Sequence, residues 1–205
     1  NDKDVIVECI QSLLDQNRNK IDIIISDNGS EDDSVEFIRK YFPSIKIIEN
    51  GENLGFGSAI NRGLGLAKGE YLLFLNSDLK LNSNCVGELA KLLDDDFNIG
   101  GAIPKILHID QHSTINSLGV LINYTGIAYP NLLGEKDPGY QEPFESACGG
   151  IFMLRREVYK TVGGFDEDLF LYHEDHDLSW RVRLAGWQLK VAPQAIMYHH
   201  YKFNK

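Results

Sequence analysis

The 205-residue chain is 43% hydrophobic and 24% charged, the balance of a single globular domain with one sizeable core. Its formal charge of −10 excludes a nucleic-acid backbone as the expected partner, because phosphate binding rests on clustered Lys and Arg, and no apolar run approaches the ~20 residues needed to cross a bilayer. The three cysteines, Cys9, Cys85 and Cys148, are far apart with no CxxC pair, which excludes a disulfide frame and suits reduced core thiols in a cytosolic protein.

The chain opens in a loop that enters an amphipathic helix, with Ile6, Ile10, Leu13 and Leu14 on one stripe. Next comes "IDIIISDNGS", a continuous β-branched run ending in Asp27, Asn28 and Gly29, the pattern of a strand buried on both faces. A helix is predicted from about Asp32 to Tyr41, opened by the cap-like "SEDD". "IKIIEN" repeats the strand signal, "GFGSAINRGLGLAKG" the helix, and "EYLLFLNSD" gives a third strand. Strands alternating with helices of this length predict βαβ units in a mainly parallel sheet.

From Ile99 to Tyr140 the segments shorten, with Asn, Gly and Pro between them, which predicts hairpin-like strands and a long loop across "YPNLLGEKDPGYQEP". "ACGGIFMLRREVYKTVGGF" then reads as a small-residue strand and a short helix closed by Gly163 and Gly164. The last predicted helix, "EDHDLSWRVRLAG", places Leu171, Asp175, Leu178, Val182 and Ala185 on one face, with Asp175 at its head. Asp177 pairs with Arg181 four residues on, and His176 and Arg183 fall on the solvent side.

In an open α/β sheet ligands bind beyond the carboxyl ends of the strands, so the residues ending each strand are candidates. They are Asp27, then Asn50 and Asn53, then Asn76, Ser77 and Asp78. Any one alone is an ordinary turn former, and Asp78 has the alternative of capping the next helix. At the mouth of a sheet, however, a single carboxylate can hold a divalent cation such as Mg²⁺ or Mn²⁺ that keeps its other ligands for water and phosphate oxygens. "NLGFGSAINRG" lacks a GK[ST] ending and has Ile60 where a dinucleotide fingerprint needs glycine, but its small residues allow a close approach of ligand to a helix amino terminus. Asp175, with Glu174 second, is the candidate general base: the helix dipole favours its charge while burial raises its proton affinity. The HxxH of His173 and His176 has no third zinc ligand at a recognisable spacing. His199 and His200 follow the last predicted strand and return to the same edge.

"IIISDNGSEDDS", "NLGFGSAINRG", "YLLFLNSDLKL", "ACGGIFMLRREVYKTVGGFDEDLFLYHEDHDLSWRVRLAGW" and "YHH" stand in the order and spacing of family 2 glycosyltransferases, and the chain resembles the bacterial rhamnosyltransferase-like branch. The resemblance implies an α/β fold of the GT-A type, with a mainly parallel central sheet, helices on both faces and a smaller acceptor-side sheet. It implies a nucleotide-binding half over 1–98 and an acceptor-binding half over 99–205. The activity implied is inverting transfer of a sugar from a nucleoside diphosphate donor to a glycan or lipid-linked acceptor. By position, Asp27 resembles the acid that contacts the base, Asp78 the metal-binding end of a DxD motif whose first position is Asn76 here, and Asp175 the general base. His199 or His200 resembles a late histidine near metal and diphosphate. With Asp27, the donor-binding candidates are Asn28, Asn53, Gly55, Asn61 and Asn76. Family members begin with an apolar strand ending near the equivalent of Asn1, so the chain reads as trimmed, with weak nucleotide binding expected unless that strand is supplied. The expected location is cytoplasmic, with peripheral contact at the inner face of the plasma membrane left open. Two rival readings stand beside this one: a nucleotidyltransferase of related architecture, which would want a glycine-rich loop with a basic residue, and a non-catalytic glycan- or nucleotide-binding module.

Overall fold

The computed structural model describes residues 3–17 and 20–200, so the expected match at Asn1 lies outside the described residues. The first helix, α1 (Lys3–Leu14), buries Cys9, Ile10 and Leu13, while Leu14, at its last turn, is exposed. Two βα steps and a third strand follow: β1 (Ile24–Asp27), α2 (Ser34–Tyr41), β2 (Lys46–Glu49), α3 (Phe56–Leu64) and β3 (Tyr71–Phe74). β1 and β2 pair in parallel, as the alternating pattern predicts. The other edge of β1 has no strand partner among the described residues.

Beyond β3 the chain runs through β4 (Leu79–Leu81), α4 (Cys85–Asp95), β5 (Ile99–His108), β6 (Gln111–Ser117), β7 (Val120–Ile122), β8 (Ala128–Pro130) and β9 (Phe144–Glu145). It ends with β10 (Phe152–Arg155), α5 (Arg156–Val162), α6 (Glu174–Leu184) and β11 (Gln188–His199). The main sheet has the order β3-β10-β5-β11-β4, with β6 on β5 and β9 on β11. It is mixed, not mainly parallel. Parallel pairing is confined to β1 with β2 and β5 with β11, whereas β10 runs antiparallel between β3 and β5, and β4 antiparallel to β11. The reason is topological: β4 follows β3 after a four-residue turn with no helix to carry the chain back. The small sheet in the second half is the β7–β8 hairpin.

Strand alternation sends Met153 to one face of the sheet and Phe152 and Leu154 to the other. The first face packs on α1 and α4 through Leu13, Cys85, Leu89 and Leu93. The second packs on α3, α5 and α6 through Ile60, Val158, Leu178 and Val182, so helices cover both faces. The ring of Phe74 lies 5.0 Å from Phe152 and 5.4 Å from Phe165, an aromatic floor beneath the sheet edge described below. All three cysteines are buried, and burial pushes the thiols of Cys9 and Cys148 up to about 12, the behaviour of core filler.

The region from 99 onward is more regular than its punctuation suggests. β5 is a ten-residue strand, all but His108 buried, although it contains two glycines and Pro104. Pro104 pairs with Ala192 where the register with β11 shifts between Ala192 and Ile196, so the two prolines of this ladder, 104 and 193, sit at an irregularity and not within regular pairing.

Candidate active site

The antiparallel insertion of β10 decides what meets at the upper edge of the sheet. Phe152, the first residue of β10, faces Phe74, the last of β3, and His199, the last of β11, faces Leu79, the first of β4. Three segments therefore share one edge: 75–78 leaving β3, 149–151 entering β10, and His199–His200 leaving β11. Asp78, Gly150 and His199 are its polar centre.

Asp78 accepts a hydrogen bond from His199 Nε2 at 3.0 Å through Oδ2, and its main-chain oxygen accepts from His200 N at 3.0 Å. It does not cap α4, whose N-cap residue is Asn84 and whose Val86 N–H donates to Gln16 Oε1 at 2.9 Å. Burial acts to raise its carboxyl, but the hydrogen bond and charge of His199 more than offset this and hold it below the usual range. The other oxygen, Oδ1, is buried with no hydrogen-bond partner among the described residues. His199 Nδ1 faces Asn116 Oδ1 on β6 at 2.9 Å, which fixes the ring. His200 turns away to Glu8 Oε2 of α1 at 2.6 Å, and Glu8 also accepts from Lys80. Of the two histidines, then, His199 is the one whose ring is hydrogen-bonded to the Asp78 carboxylate. The side chain of Asn76 lies exposed at the same turn.

Among the described residues no three His, Cys, Asp or Glu side chains cluster closely enough to hold a metal by themselves. The orphaned Asp78 Oδ1 beside an anchored imidazole does fit a hard cation that takes most of its ligands from water and phosphate, and it does not fit structural zinc.

At the ends of the separate β1–β2 sheet a chain of amides links the first two strands to the glycine-rich loop. Asp27 folds onto the N–H groups of Gly29 and Ser30, a turn that fixes its carboxylate at the end of β1. Asn50 Nδ2 donates to Asn28 Oδ1 at 2.9 Å, Asn28 Nδ2 donates to Gly55 O at 3.0 Å and Asn53 Oδ1 at 3.3 Å, and Asn53 Oδ1 also accepts from Gly55 N. Gly55 has φ 82° and ψ 171°, a conformation open essentially only to glycine, and a Cβ there would lie 2.2 Å from Phe170 O. The loop beside the β1–β2 ends is thus in direct contact with the segment that leads into α6.

Asn61 belongs elsewhere. Its Nδ2 donates to Phe165 O at 2.8 Å and Glu167 Oε1 at 3.0 Å, while its Oδ1 accepts from Phe165 N at 2.9 Å and Tyr159 OH at 3.0 Å. Both donors and both lone pairs are used, so it locks α3 to the "GGFDE" turn and has no capacity left for a nucleotide.

The approach to α6 is strained. Tyr172 and His173 both have positive φ, 66° and 73°, two successive non-glycine residues in the left-handed region. They break the helical phase before Glu174, which is why Leu171 is exposed instead of heading the buried stripe; Ala185, past the last helical residue, is exposed as well. Leu178 and Val182 are fully buried as the spacing predicts, and the Asp177–Arg181 pair forms at 2.9 Å through Nε. His176 and Arg183 are not free in solvent. His176 Nδ1 lies 3.3 Å from His173 Nδ1 and its Nε2 3.7 Å from Asp175 Oδ1, and Arg183 Nη2 donates to Ser146 O at 2.7 Å.

Asp175 Oδ1 accepts from His176 N at 2.8 Å, and the Gly150 N–H faces the same carboxylate, which joins α6 to the strand-edge cluster. Burial raises its carboxyl despite these donors and the nearby imidazole. Glu174 is more enclosed, 6% exposed, with Oε2 unpartnered among the described residues and its carboxyl likewise raised by burial. Ser179 holds the start of the helix in place, donating to Asp175 O and accepting from Cys148 N. Gly150 and Ser179 had a sequence signal only in the small-residue texture of "ACGGIF" and the helical spacing from Asp175. Asn116 and Glu8 had none, because strand pairing creates their proximity.

The family described as glycosyl transferase family 2 matches residues 1–163. The chain belongs to glycosyl transferase family 2. A second family, described as the N-terminal domain of galactosyltransferase, matches residues 132–203, which contain α6 and β11. Among curated relatives of this family 2 chain, the N-acetylglucosaminyl-diphospho-decaprenol L-rhamnosyltransferase of Mycobacterium tuberculosis is 26% identical over 208 residues, covering 88% of the chain and 66% of the relative. The poly-beta-1,6-N-acetyl-D-glucosamine synthase of Staphylococcus epidermidis is 23% identical over 201 residues, 96% of the chain and 47% of the relative. The chain thus spans less than two thirds of the length of either. Solved structures share its fold, two of them in complex with nucleotide and Mn²⁺. GalNAc-T7 with UDP, GalNAc and Mn²⁺ superposes with a TM-score of 0.80 at 18% identity, over 98% of this chain and 42% of that one. The mannosyltransferase PcManGT of Pyrobaculum calidifontis, in complex with GDP-Man and Mn²⁺, gives 0.73 at 16%, over 100% and 55%. The fold is of the GT-A type. Among the described residues no helix is long and apolar enough to cross a membrane.

Proposed function

We propose that this family 2 domain transfers a sugar from a nucleoside diphosphate donor to an acceptor hydroxyl with inversion, and that Asp175 is the general base. The observation that carries the reading is the buried Asp175 carboxylate at the head of α6, tied through the Gly150 N–H to the edge that also holds Asp78 and His199. A carboxylate whose proton affinity is raised by burial is a better proton acceptor than an exposed one.

Asp27, Asn28, Asn53 and the Gly55 main chain form the nucleotide end, and Asp78 with His199 the diphosphate end, with Asn76 beside them. This assigns the nucleotide to residues 1–98 and the acceptor to 99–205. A divalent cation at Asp78 Oδ1 would neutralise charge on the departing diphosphate. Asp175 takes the acceptor proton as that oxygen attacks the anomeric carbon and the carbon–oxygen bond to the diphosphate breaks; one displacement gives inversion. The unpartnered Glu174 Oε2 suits a hydrogen bond to the acceptor. The structural relatives support nucleotide-sugar donors and Mn²⁺, since GalNAc-T7 carries UDP and Mn²⁺ and PcManGT carries GDP-Man and Mn²⁺. The relatives' names supply glycan and lipid-diphosphate acceptors.

The test is a screen of nucleoside diphosphate sugars with Mg²⁺ or Mn²⁺ on the full chain, reading release of nucleoside diphosphate, with Asp175→Asn in parallel. Release that depends on Asp175 supports the reading. Donor binding and turnover that both survive Asp175→Asn unchanged would overturn the assignment of the base.

A further inference from the structure

Trp180 sits on the solvent side of α6, about 180° around the helix from the core residues Leu178 and Val182, and its indole is 51% exposed. About half of its surface stays in solvent, so core packing alone does not explain it. It borders a cavity of about 280 Å³ between α6, the first strand of the β7–β8 hairpin and the segment after β9. Val120, Leu121 and Ile122 form one wall, Ser146 and Ala147 the floor, and Glu145 and Arg183 the polar rim.

These walls are fixed. Val120 N donates to Ser146 Oγ at 2.9 Å, β9 is paired with Lys190 and Val191, and the hydrogen bond of Arg183 Nη2 to Ser146 O pins the guanidinium at the rim. An aromatic face, a guanidinium and a carboxylate converging on a concavity near the ~300 Å³ lower bound of small-molecule sites match a pyranose ring. Its apolar face stacks on an aromatic, and its rim hydroxyls accept from Arg and donate to a carboxylate. The cavity is also connected to the proposed base. Ser179, in its lining, donates to Asp175 O, and Asp175 lies one helical turn, about 6 Å, toward the amino end of α6.

We infer that Trp180, Arg183 and Glu145 form a saccharide subsite that binds the acceptor sugar next to the one whose hydroxyl reacts, and that this subsite sets acceptor specificity. The inference rests on the proposed transferase function for its meaning but not for its test. Saturation-transfer NMR on the full chain, with no nucleotide present, uses methyl glycosides and disaccharides of neutral hexoses, 6-deoxyhexoses, N-acetylhexosamines and uronic acids as probes. The expected result is saturable binding of at least one class, abolished by Trp180→Ala, retained by Trp180→Phe, and weakened at least 5-fold by Arg183→Met and by Glu145→Gln. Asp175→Asn should leave this binding intact. Binding of no probe, or binding indifferent to Trp180→Ala in a variant with native circular dichroism, overturns the subsite. If saccharide binds as expected and Asp175→Asn still turns over, the base assignment fails and the subsite stands. In a turnover assay Trp180→Ala should raise acceptor KM about 10-fold or more while donor hydrolysis without acceptor stays at its wild-type rate.

Discussion

Gly55→Ala tests whether the two ends of the site are mechanically joined. A methyl group at residue 55 would stand 2.2 Å from Phe170 O and 3.0 Å from Phe170 C, both backbone atoms, so the loop entering α6 must retreat by more than about 1 Å to reach ordinary contact. Alanine at φ 82° and ψ 171° adds backbone strain of about 1–3 kcal/mol, which for a chain of this size lowers Tm by roughly 2–4 °C per kcal/mol. The loop carries Tyr172 and His173 and so sets the direction in which Glu174 and Asp175 leave it. Displacing a reacting group by about 1 Å costs on the order of 100-fold in rate, equivalent to about 2.7 kcal/mol of barrier. Gly51→Ala is the matched control, because Gly51 also has a φ of 80° but nothing within 4 Å of the added methyl. Thermal melts read by circular dichroism and nucleotide release at saturating donor should show Tm lowered in both variants, with turnover lost about 100-fold only in Gly55→Ala. Equal turnover in the two variants would refute the coupling between the glycine loop and α6.

Asp175→Asn should lower transfer about 10²–10⁴-fold and yet raise Tm at pH 7. The carboxyl is raised in the folded state, so its burial opposes folding above the unfolded value near 4, and the penalty disappears below it; the Tm gain over wild type should vanish as melts are taken down to acid pH. Asp78 has the opposite sign. Its native carboxyl is lowered, so the stability gap between wild type and Asp78→Asn is full above about pH 4 and closes as pH falls through the lowered native value, which acid titration followed by fluorescence would show. Asn61→Ala strands the main-chain N–H and C=O of Phe165 and should cost about 1–3 kcal/mol of stability in urea melts, with UDP and GDP affinities by calorimetry unchanged.

The first 75 residues were legible because each local signal had a single geometric meaning. A β-branched run ending in polar residues, then a helix, produced β1, α2, β2, α3 and β3 within a few residues of expectation, although β1 is only half-buried and the N-cap Asp33 makes no side-chain cap hydrogen bond. Asp175 and Asp78 were legible for a related reason, one from helical spacing and one from its place after a strand. The mixed sheet was not, since nothing in "GIFMLRR" says which way β10 runs between β3 and β5. Nor was β5, whose glycines and proline resemble turn punctuation until β11 supplies a partner with a matching irregularity. Leu171 was misplaced because helical periodicity was extended through Tyr172 and His173, where the backbone is left-handed. Asn61 stands in a glycine-rich segment that resembles a ligand loop, and only its four tertiary partners, all between residues 159 and 167, reveal a structural lock.

The main sheet interleaves strands from before and after residue 98, with β3 bonded to β10 and β4 to β11. A chimera that joins a donor-binding half from one relative to an acceptor-binding half from another at that position would therefore have to rebuild two foreign strand interfaces at once. The β7–β8 hairpin is held differently: its strands pair with each other and, through a single bridge from Val120, with Ala147. Recombination could exchange that hairpin without redesigning the sheet, so on the proposed reading acceptor preference would diversify at residues 120–130 while the proposed donor site is inherited whole.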